Sequence, residues 1–334
     1  MYLYKFYRYW GNSRSRYSLE GTKIYIQSYR QNQKDFYSAL LANLKKVRHK
    51  IPFPRWKKFL DGLLAISEPA GRATVHQQPL VTDFRKCGEI KVLSANLWHD
   101  FPHYRNLKER MNNFALIVEE TGADILLLQE VTRILPFHAD EWLADQLGMA
   151  YIYSRANGHD LVGFEEGLGI YSRFPMESPV LMSMPGGFSP FIRRIALGAT
   201  VSTPCGELFT FTVHLSTLPI WNRLQVFRLQ DWVKNTTQGK TALIGGDFNT
   251  FENTKKIRNI CNKWIDTFRH IHPQGDGVTY ESNWPWGGKR RVRLDYVFLK
   301  QERPGWKVID SQHIYNRTNP HSDHHAVLTR LEPE

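Results

Sequence analysis

Six stretches of this chain bring a carboxamide, carboxylate or imidazole side chain to the end or edge of an apolar, strand-like run, and this recurrence constrains the fold more than any other feature. The run 90–96 (Ile-Lys-Val-Leu-Ser-Ala-Asn) alternates and then turns small and polar at Asn96. Residues 124–130 hold an unbroken apolar stretch that closes on Gln129 and Glu130. The run 208–214 ends at His214, the run 241–245 leads into Gly245-Gly-Asp247-Phe-Asn249, and Ser322-Asp323-His324-His325 precedes the run 326–330. Asp295 lies inside Arg293-Leu-Asp-Tyr-Val-Phe298. A lone acid at a strand end is usually a turn or cap residue. Six such groups that can converge on one edge are harder to explain in that way.

The runs between them set the fold class. Helical periodicity covers 107–121, stopping at Gly122, and 224–235. Further strands are predicted at 168–171, 195–201, 294–299 and 326–330. Many strands with few long helices predict an α/β body built on two packed sheets rather than a doubly wound parallel sheet. The glycines of Glu166-Gly-Leu-Gly169 do not have the spacing of a nucleotide fingerprint and read as strand. No G-x-S-x-G element is present, which disfavours covalent serine catalysis.

Charge divides the chain. Lys and Arg number 44 against 32 Asp and Glu, and all of the +12 excess falls in residues 1–60, which hold 14 basic and 14 aromatic residues with only Glu20 and Asp35 as acids. Two helices are predicted there, at 33–47 and 55–66, the second amphipathic and basic through Trp56, Phe59, Leu60, Leu63 and Leu64. From Glu68 the chain reads as a linker. The expected domains are therefore a basic, aromatic-rich extension over 1–85 and a catalytic body over 86–334. A polyanion partner, or a solvated helix pair packed by its aromatics, accounts equally for the extension.

No apolar run approaches the 18 residues of a membrane span, and the start lacks the apolar core of a secretory signal, so a cytoplasmic location is expected, with peripheral membrane association as the alternative. Cys87, Cys205 and Cys261 lie far apart without a CxxC pair and are expected as reduced, buried thiols. His321 and His325 flank the motif at 322–325, but no Cys/His or HExxH spacing supports zinc.

An oxygen-rich group of this kind suits a hard divalent cation, which needs only one or two carboxylates beside substrate phosphate oxygens, and Glu130 is the first choice of ligand. Asp247 and Asn249, two apart, would point to the same side of an extended chain, the acid orienting a water and the amide donating to a developing phosphoryl charge. A carboxylate beside an imidazole stabilises its charged form.

The ordered set Ser-Ala-Asn96, Leu-Gln-Glu130-Val, Val-His214-Leu, Gly-Gly-Asp247-Phe-Asn249, Arg-Leu-Asp295-Tyr and Ser-Asp323-His324-His-Ala-Val resembles the endonuclease/exonuclease/phosphatase superfamily, the fold of deoxyribonuclease I, over residues 89–332. The resemblance implies a four-layer sandwich of two mixed β-sheets flanked by helices, and metal-dependent hydrolysis of phosphate esters with Mg²⁺, or Mn²⁺, as cofactor. It places Asn96, Glu130 and Asp323 at the metal, and Asp247 and Asn249 at the nucleophile and phosphate. His324 matches a catalytic histidine oriented by Asp295, and His214 a second, phosphate-side histidine. Arg193, with Arg194 competing, lies where some members contact phosphate.

Superfamily membership spans nucleases, phosphoinositide phosphatases and sphingomyelinases. The loop Trp284-Pro-Trp-Gly-Gly-Lys-Arg-Arg-Val-Arg293 lacks the Gly-Trp-Arg-Ile-Asp-Tyr form of abasic-site enzymes. Its Trp284 and Trp286 beside four cations suit stacking on bases and neutralising phosphates, so a nuclease acting on nucleic acid is the expectation. A phospholipid phosphodiesterase or phosphatase at an anionic membrane is the alternative, and a silent binding module is disfavoured by the retention of all six motifs.

Overall fold

The computed structural model describes residues 60–61, 70–76, 86–186, 193–283, 289–301 and 305–334. The chain divides into two compact units, 1–64 and 65–334. Of the first, only Leu60 and Asp61 are described, both helical, and the remainder of the two expected basic helices lies outside the described residues, as do Trp284 and Trp286.

In the second unit, eight strands form one sheet. Its main path runs β1 (Thr74–His76), β5 (Ala150–His159), β6 (Phe164–Ser172), β3 (Ile125–Ile134), β2 (Ile90–Asn96), β16 (Ala326–Pro333) and β15 (Trp306–Ile314), with β4 (Phe137–His138) paired to β3. A six-stranded sheet runs β11 (Ile265–Asp266), β14 (Asp295–Lys300), β10 (Ala242–Asp247), β9 (Gly206–His214), β8 (Ile195–Thr203) and β7 (Met176–Ser183). A short ribbon pairs β12 (Tyr280–Asn283) with β13 (Lys289–Val292).

The apolar runs explain why these strands stack in layers. Successive side chains point to opposite faces, and both faces of the central strands are covered. Val92, Ile125, Leu127, Leu243 and Val297 meet between the sheets in one core. Their neighbours Leu93, Leu126 and Leu128 pack outward onto Met111, Phe114 and Val118 of α1 (Leu107–Thr121) and Leu143 of α2 (Ala139–Leu147). On the other side Ile244, Tyr296 and Phe298 pack onto Val226, Leu229 and Val233 of α3 (Pro219–Thr237) and Ile257 of α4 (Lys255–Cys261). The result is the four-layer α/β sandwich that the sequence implied. Burial of each such side chain contributes about 1.5–3 kcal/mol. A fifth helix, α5 (Thr267–Ile271), is tied to β14 by Thr267 Oγ1, which donates to Val297 O at 3.0 Å.

The expected elements at 90–96 and 107–121 keep their bounds, and Gly122 stops α1 with φ 64°. The structure adds β5, β7, β15 and α2, and it draws Thr74–His76, from the stretch read as linker, into the sheet as an edge strand too short to carry a periodicity.

The cysteines correct the sequence reading. Cys87 and Cys205, 118 residues apart, form a disulfide, and Cys261 is free and exposed. Cys87 precedes β2 and Cys205 lies in the turn before β9, so the bridge ties the two sheets at the ends of these strands opposite Asn96 and His214. Spacing alone could not reveal a pair that only the stacking of two sheets brings together. A bridge of this span contributes on the order of 2–4 kcal/mol.

Candidate active site

Strand register assembles the site. β10 lies between β9 and β14, and Asp247 is the direct partner of His214 on the parallel side and of Asp295 on the antiparallel side. Three of the six polar groups thus stand in one row across the second sheet. Gly246 precedes Asp247 with φ 152°, where an added Cβ would lie 2.0 Å from Val213 O, so only glycine lets β10 run this close to β9.

The first sheet supplies the opposing groups. β2 and β3 are parallel, with Asn96 opposite Gln129. Gln129 turns away from the chemistry: its Nε2 donates to Thr212 Oγ1 at 2.9 Å and braces the two sheets. Between Leu128 and Val131 the pairing of β3 with β6 shifts, and Glu130 takes φ 55°. This bulge re-aims one side chain at a strand end, and here it brings the Glu130 carboxylate to Asn96. Asn96 Nδ2 lies 3.3 Å from Glu130 Oε1 and 3.3 Å from Asp247 Oδ2, linking the two sheets' acids. Glu130 Oε2 accepts from the backbone N–H of His99 at 2.9 Å, and the His99 ring lies 3.4 Å from it.

Asp247 and Asn249 do meet, though not by lying on one extended strand. Asn249 has φ 46°, and the turn closes on its acid: Asn249 N donates to Asp247 Oδ1 at 2.7 Å and Asn249 Nδ2 to Asp247 Oδ2 at 3.0 Å. Positive φ at both Glu130 and Asn249 is backbone strain of the kind that clusters at functional sites.

The two histidines are in opposite states. His324 Nδ1 bonds Asp295 Oδ2 at 2.8 Å. Burial pulls its pKa down, but the charge and hydrogen bond of Asp295, with Asp247 and Asp323 adding, outweigh it and carry it up to about 10, so the ring is an imidazolium. Arg194 Nη1 lies 3.2 Å from His214 Nδ1. A guanidinium only donates, so Nδ1 accepts and the ring proton sits on Nε2, 3.6 Å from Asp247 Oδ2. Burial, then Arg194 and His324, hold His214 well below the usual histidine range, and it is neutral. Burial and the nearby Asp295 charge, partly offset by His324, push Asp247 up to about 7.

Asp247, Asp295 and His324 each bring a potential ligand atom within 4.8 Å of the others. Within this trio His324 Nδ1 is already engaged by Asp295 Oδ2. The oxygen-only set of Glu130, Asp323 and the Asn96 amide suits a hard cation better. Burial raises Asp323 against the opposing pull of His324, and the Glu130 charge raises it further, a repulsion that a bound cation would relieve.

The Arg193 backbone is pinned to Asn157, and the guanidinium beside His214 belongs to its competitor Arg194. His99, which the sequence reading passed over, had the signal of standing three residues beyond Asn96. His321 packs on Phe114 with ring centroids 5.8 Å apart, and His325 stacks on Tyr315 at 4.4 Å, so neither joins the cluster.

The profile of the Endonuclease/Exonuclease/phosphatase family matches residues 93–324, which include every residue of the strand-end cluster from Asn96 to His324. This chain belongs to that family. An uncharacterised Escherichia coli K12 protein, YbhP, is 24% identical over 230 residues, covering 63% of this chain and 85% of its own length. Among solved structures, an endonuclease/exonuclease/phosphatase family protein from Leptotrichia buccalis superposes with TM-score 0.61 at 20% identity, over 73% of this chain and 99% of its own. D. rerio TDP2 in complex with a single-strand DNA product does so with TM-score 0.59 at 17% identity, over 73% and 99%. The endonuclease/exonuclease/phosphatase family is one of phosphate-ester hydrolases, whose enzymes generally use divalent metal ions.

Proposed function

We propose that this chain is a divalent-cation-dependent phosphodiesterase that hydrolyses its substrate by in-line attack of water. The observation that carries the reading is geometric: Asp247 stands in register between His214 and Asp295, Asp295 bonds His324 at 2.8 Å, and Asn96 bridges Asp247 to Glu130 of the other sheet, with Asp247 pushed up to about 7 and His324 up to about 10. Two neighbouring groups with such different proton affinities divide the work of base and charge stabiliser. Asp247 has the affinity of a base working near neutrality and takes the proton of the attacking water. The imidazolium of His324, oriented by Asp295, meets the charge that grows on the phosphoryl oxygens, with Asn249 and Asn96 donating beside it. His214 presents its Nε2 proton to the same space, and Arg194 adds fixed positive charge behind it. When bound, Mg²⁺ or Mn²⁺ supplies Lewis-acid polarisation of the phosphate, with Glu130, Asn96 and Asp323 as the residues that would hold it.

Two substrate classes follow. A polynucleotide is brought forward by the single-strand DNA product in the TDP2 structure, a likeness of fold. A phospholipid is favoured by the apolar rim beside Glu130 described below. The expected cytoplasmic location is weakened by the Cys87–Cys205 bridge, since such bridges persist in oxidising compartments. A single turnover in H₂¹⁸O tests the chemistry. One labelled oxygen in the product phosphate and no covalent phosphoenzyme are expected; a trapped phosphoenzyme contradicts the proposal.

A further inference from the structure

Three connections converge beside the catalytic cluster and carry large apolar side chains out into solvent. Phe101, in the connection from β2 to α1, is 56% exposed. Leu135, in the turn between β3 and β4, is 69% exposed, and Leu161 and Val162, between β5 and β6, are 61% and 40% exposed. They share one rim. Phe101 and Phe164 have ring centroids 4.9 Å apart, Tyr104 lies 5.6 Å from Phe164, and Leu135 and Phe164 line the same cavity. Folding normally hides side chains of this size, and a contiguous exposed group of them marks an interaction surface.

The rim is continuous with the site through one residue. The His99 ring stands 3.4 Å from Glu130 Oε2 on one side and 5.8 Å from the Phe164 ring centroid on the other. A ligand on this rim and at Glu130 together must be apolar at one end and carry a phosphate at the other.

The charges of the rim argue against a polynucleotide. Arg105 is bound by Asp100 at 2.8 Å and Arg133 by Asp140, while Asp160 and Glu165 border the cavity under Leu135. A strand of phosphates would meet carboxylates there. Its most protruding members, Leu135 and Leu161, offer no ring face on which a base could stack. Exposed aliphatic groups on separate loop tips, with the amphipathic rings of Tyr104 and His99 behind them, fit the depth profile of a lipid surface: apolar groups among acyl chains and polar-tipped rings at head-group level.

We infer that the connections carrying Phe101, Leu135 and Leu161–Val162 form a membrane-docking rim for a neutral phospholipid surface, which presents the head-group phosphate ester to the strand-end cluster. The identity of the ester rests on the phosphodiesterase reading; the docking does not.

The test uses the full chain with phosphatidylcholine vesicles, whose zero net charge gives the basic segment 1–60 little to attract. The wild-type chain is expected to sediment with the vesicles. A Leu135→Ser/Leu161→Ser variant should partition about 10²-fold more weakly, because each leucine returned to water costs about a factor of ten, while turnover of the soluble diester bis(p-nitrophenyl) phosphate stays within about twofold. In a separate Leu161→Trp variant, the emission of the introduced side chain should move to shorter wavelength on vesicle addition. A wild-type chain that stays in the supernatant, or a double-serine variant that pellets as the wild type does, overturns the inference. So does loss of single-stranded DNA binding in the double variant when the wild type ignores vesicles. Vesicle binding without turnover of the soluble diester contradicts the phosphodiesterase reading and leaves the docking rim standing.

Discussion

His321 and His324 lie three residues apart on one short segment, both buried, and they are in opposite protonation states. His324 faces the row of Asp247 and Asp295 at the strand ends and is carried up to about 10. His321 packs on Phe114 under the neighbouring segment, neither ring nitrogen has a hydrogen-bond partner, and burial pushes it down to about 3. Burial drives any histidine toward neutrality. What separates the carboxylate-lined pocket from the aromatic one beside it is a carboxylate at 2.8 Å, placed by strand register.

The largest expected effect comes from removing the base at the centre of that row. Asp247→Asn should lower turnover by roughly 10²–10⁴-fold, the usual worth of general base catalysis. The wild-type rate should rise with pH through about 7 as Asp247 loses its proton. Retention of most activity in the variant, or a rate flat across that window, would break the assignment of the two pockets' roles.

Next in size is the group that makes His324 differ from His321. In Asp295→Asn the main source of the raised pKa is gone and burial acts on His324 with less opposition, so the ring should titrate far below 10 and turnover at pH 8 should fall by about 10²-fold. Histidine NMR titration reads the first effect directly. A His324 that stays charged at pH 8 in this variant would show that Asp295 is not what holds the proton.

The smallest effect concerns the aromatic pocket. A histidine that stays neutral in the folded chain down to about pH 3 costs nothing above pH 6.5. Below it, the unfolded chain takes up a proton that the folded chain does not, so stability drops by about 1.4 kcal/mol per pH unit between 6.5 and 3. His321→Phe should remove that contribution in urea melts at pH 7.5 and 5.5 and leave turnover within about twofold. An unchanged slope would mean that His321 finds a partner for its proton.

Much of the site was legible in the sequence because six polar groups closing apolar strands are more than turns and caps call for. Asn96, His214 and Asp247 end strands as the sequence pattern implied, while strand register sets Asp247 beside His214 and Asp295, and Val92 and Leu93, like Val297 and Phe298, fall in cores on opposite faces. What was not legible depends on departures from regularity or on long-range contacts. The bulge that turns Glu130 inward leaves no periodic trace, and the choice between Arg193 and Arg194 turns on which guanidinium lies beside His214. The Cys87–Cys205 bridge requires two sheets to be stacked before it can be seen. β7 escaped notice because only Met176 of it is buried and Pro179 interrupts it, as an outermost strand allows.

Metal-dependent turnover at the strand-end cluster is the central claim, and hydrolysis of bis(p-nitrophenyl) phosphate by the full chain tests it most directly. The rate should appear with Mg²⁺ or Mn²⁺, vanish in excess EDTA, and fall by roughly 10²-fold or more in a folded Glu130→Gln variant, because a carboxamide is a poor replacement for an anionic oxygen ligand. Full activity in EDTA, or a Glu130→Gln chain as active as the wild type, would contradict the account.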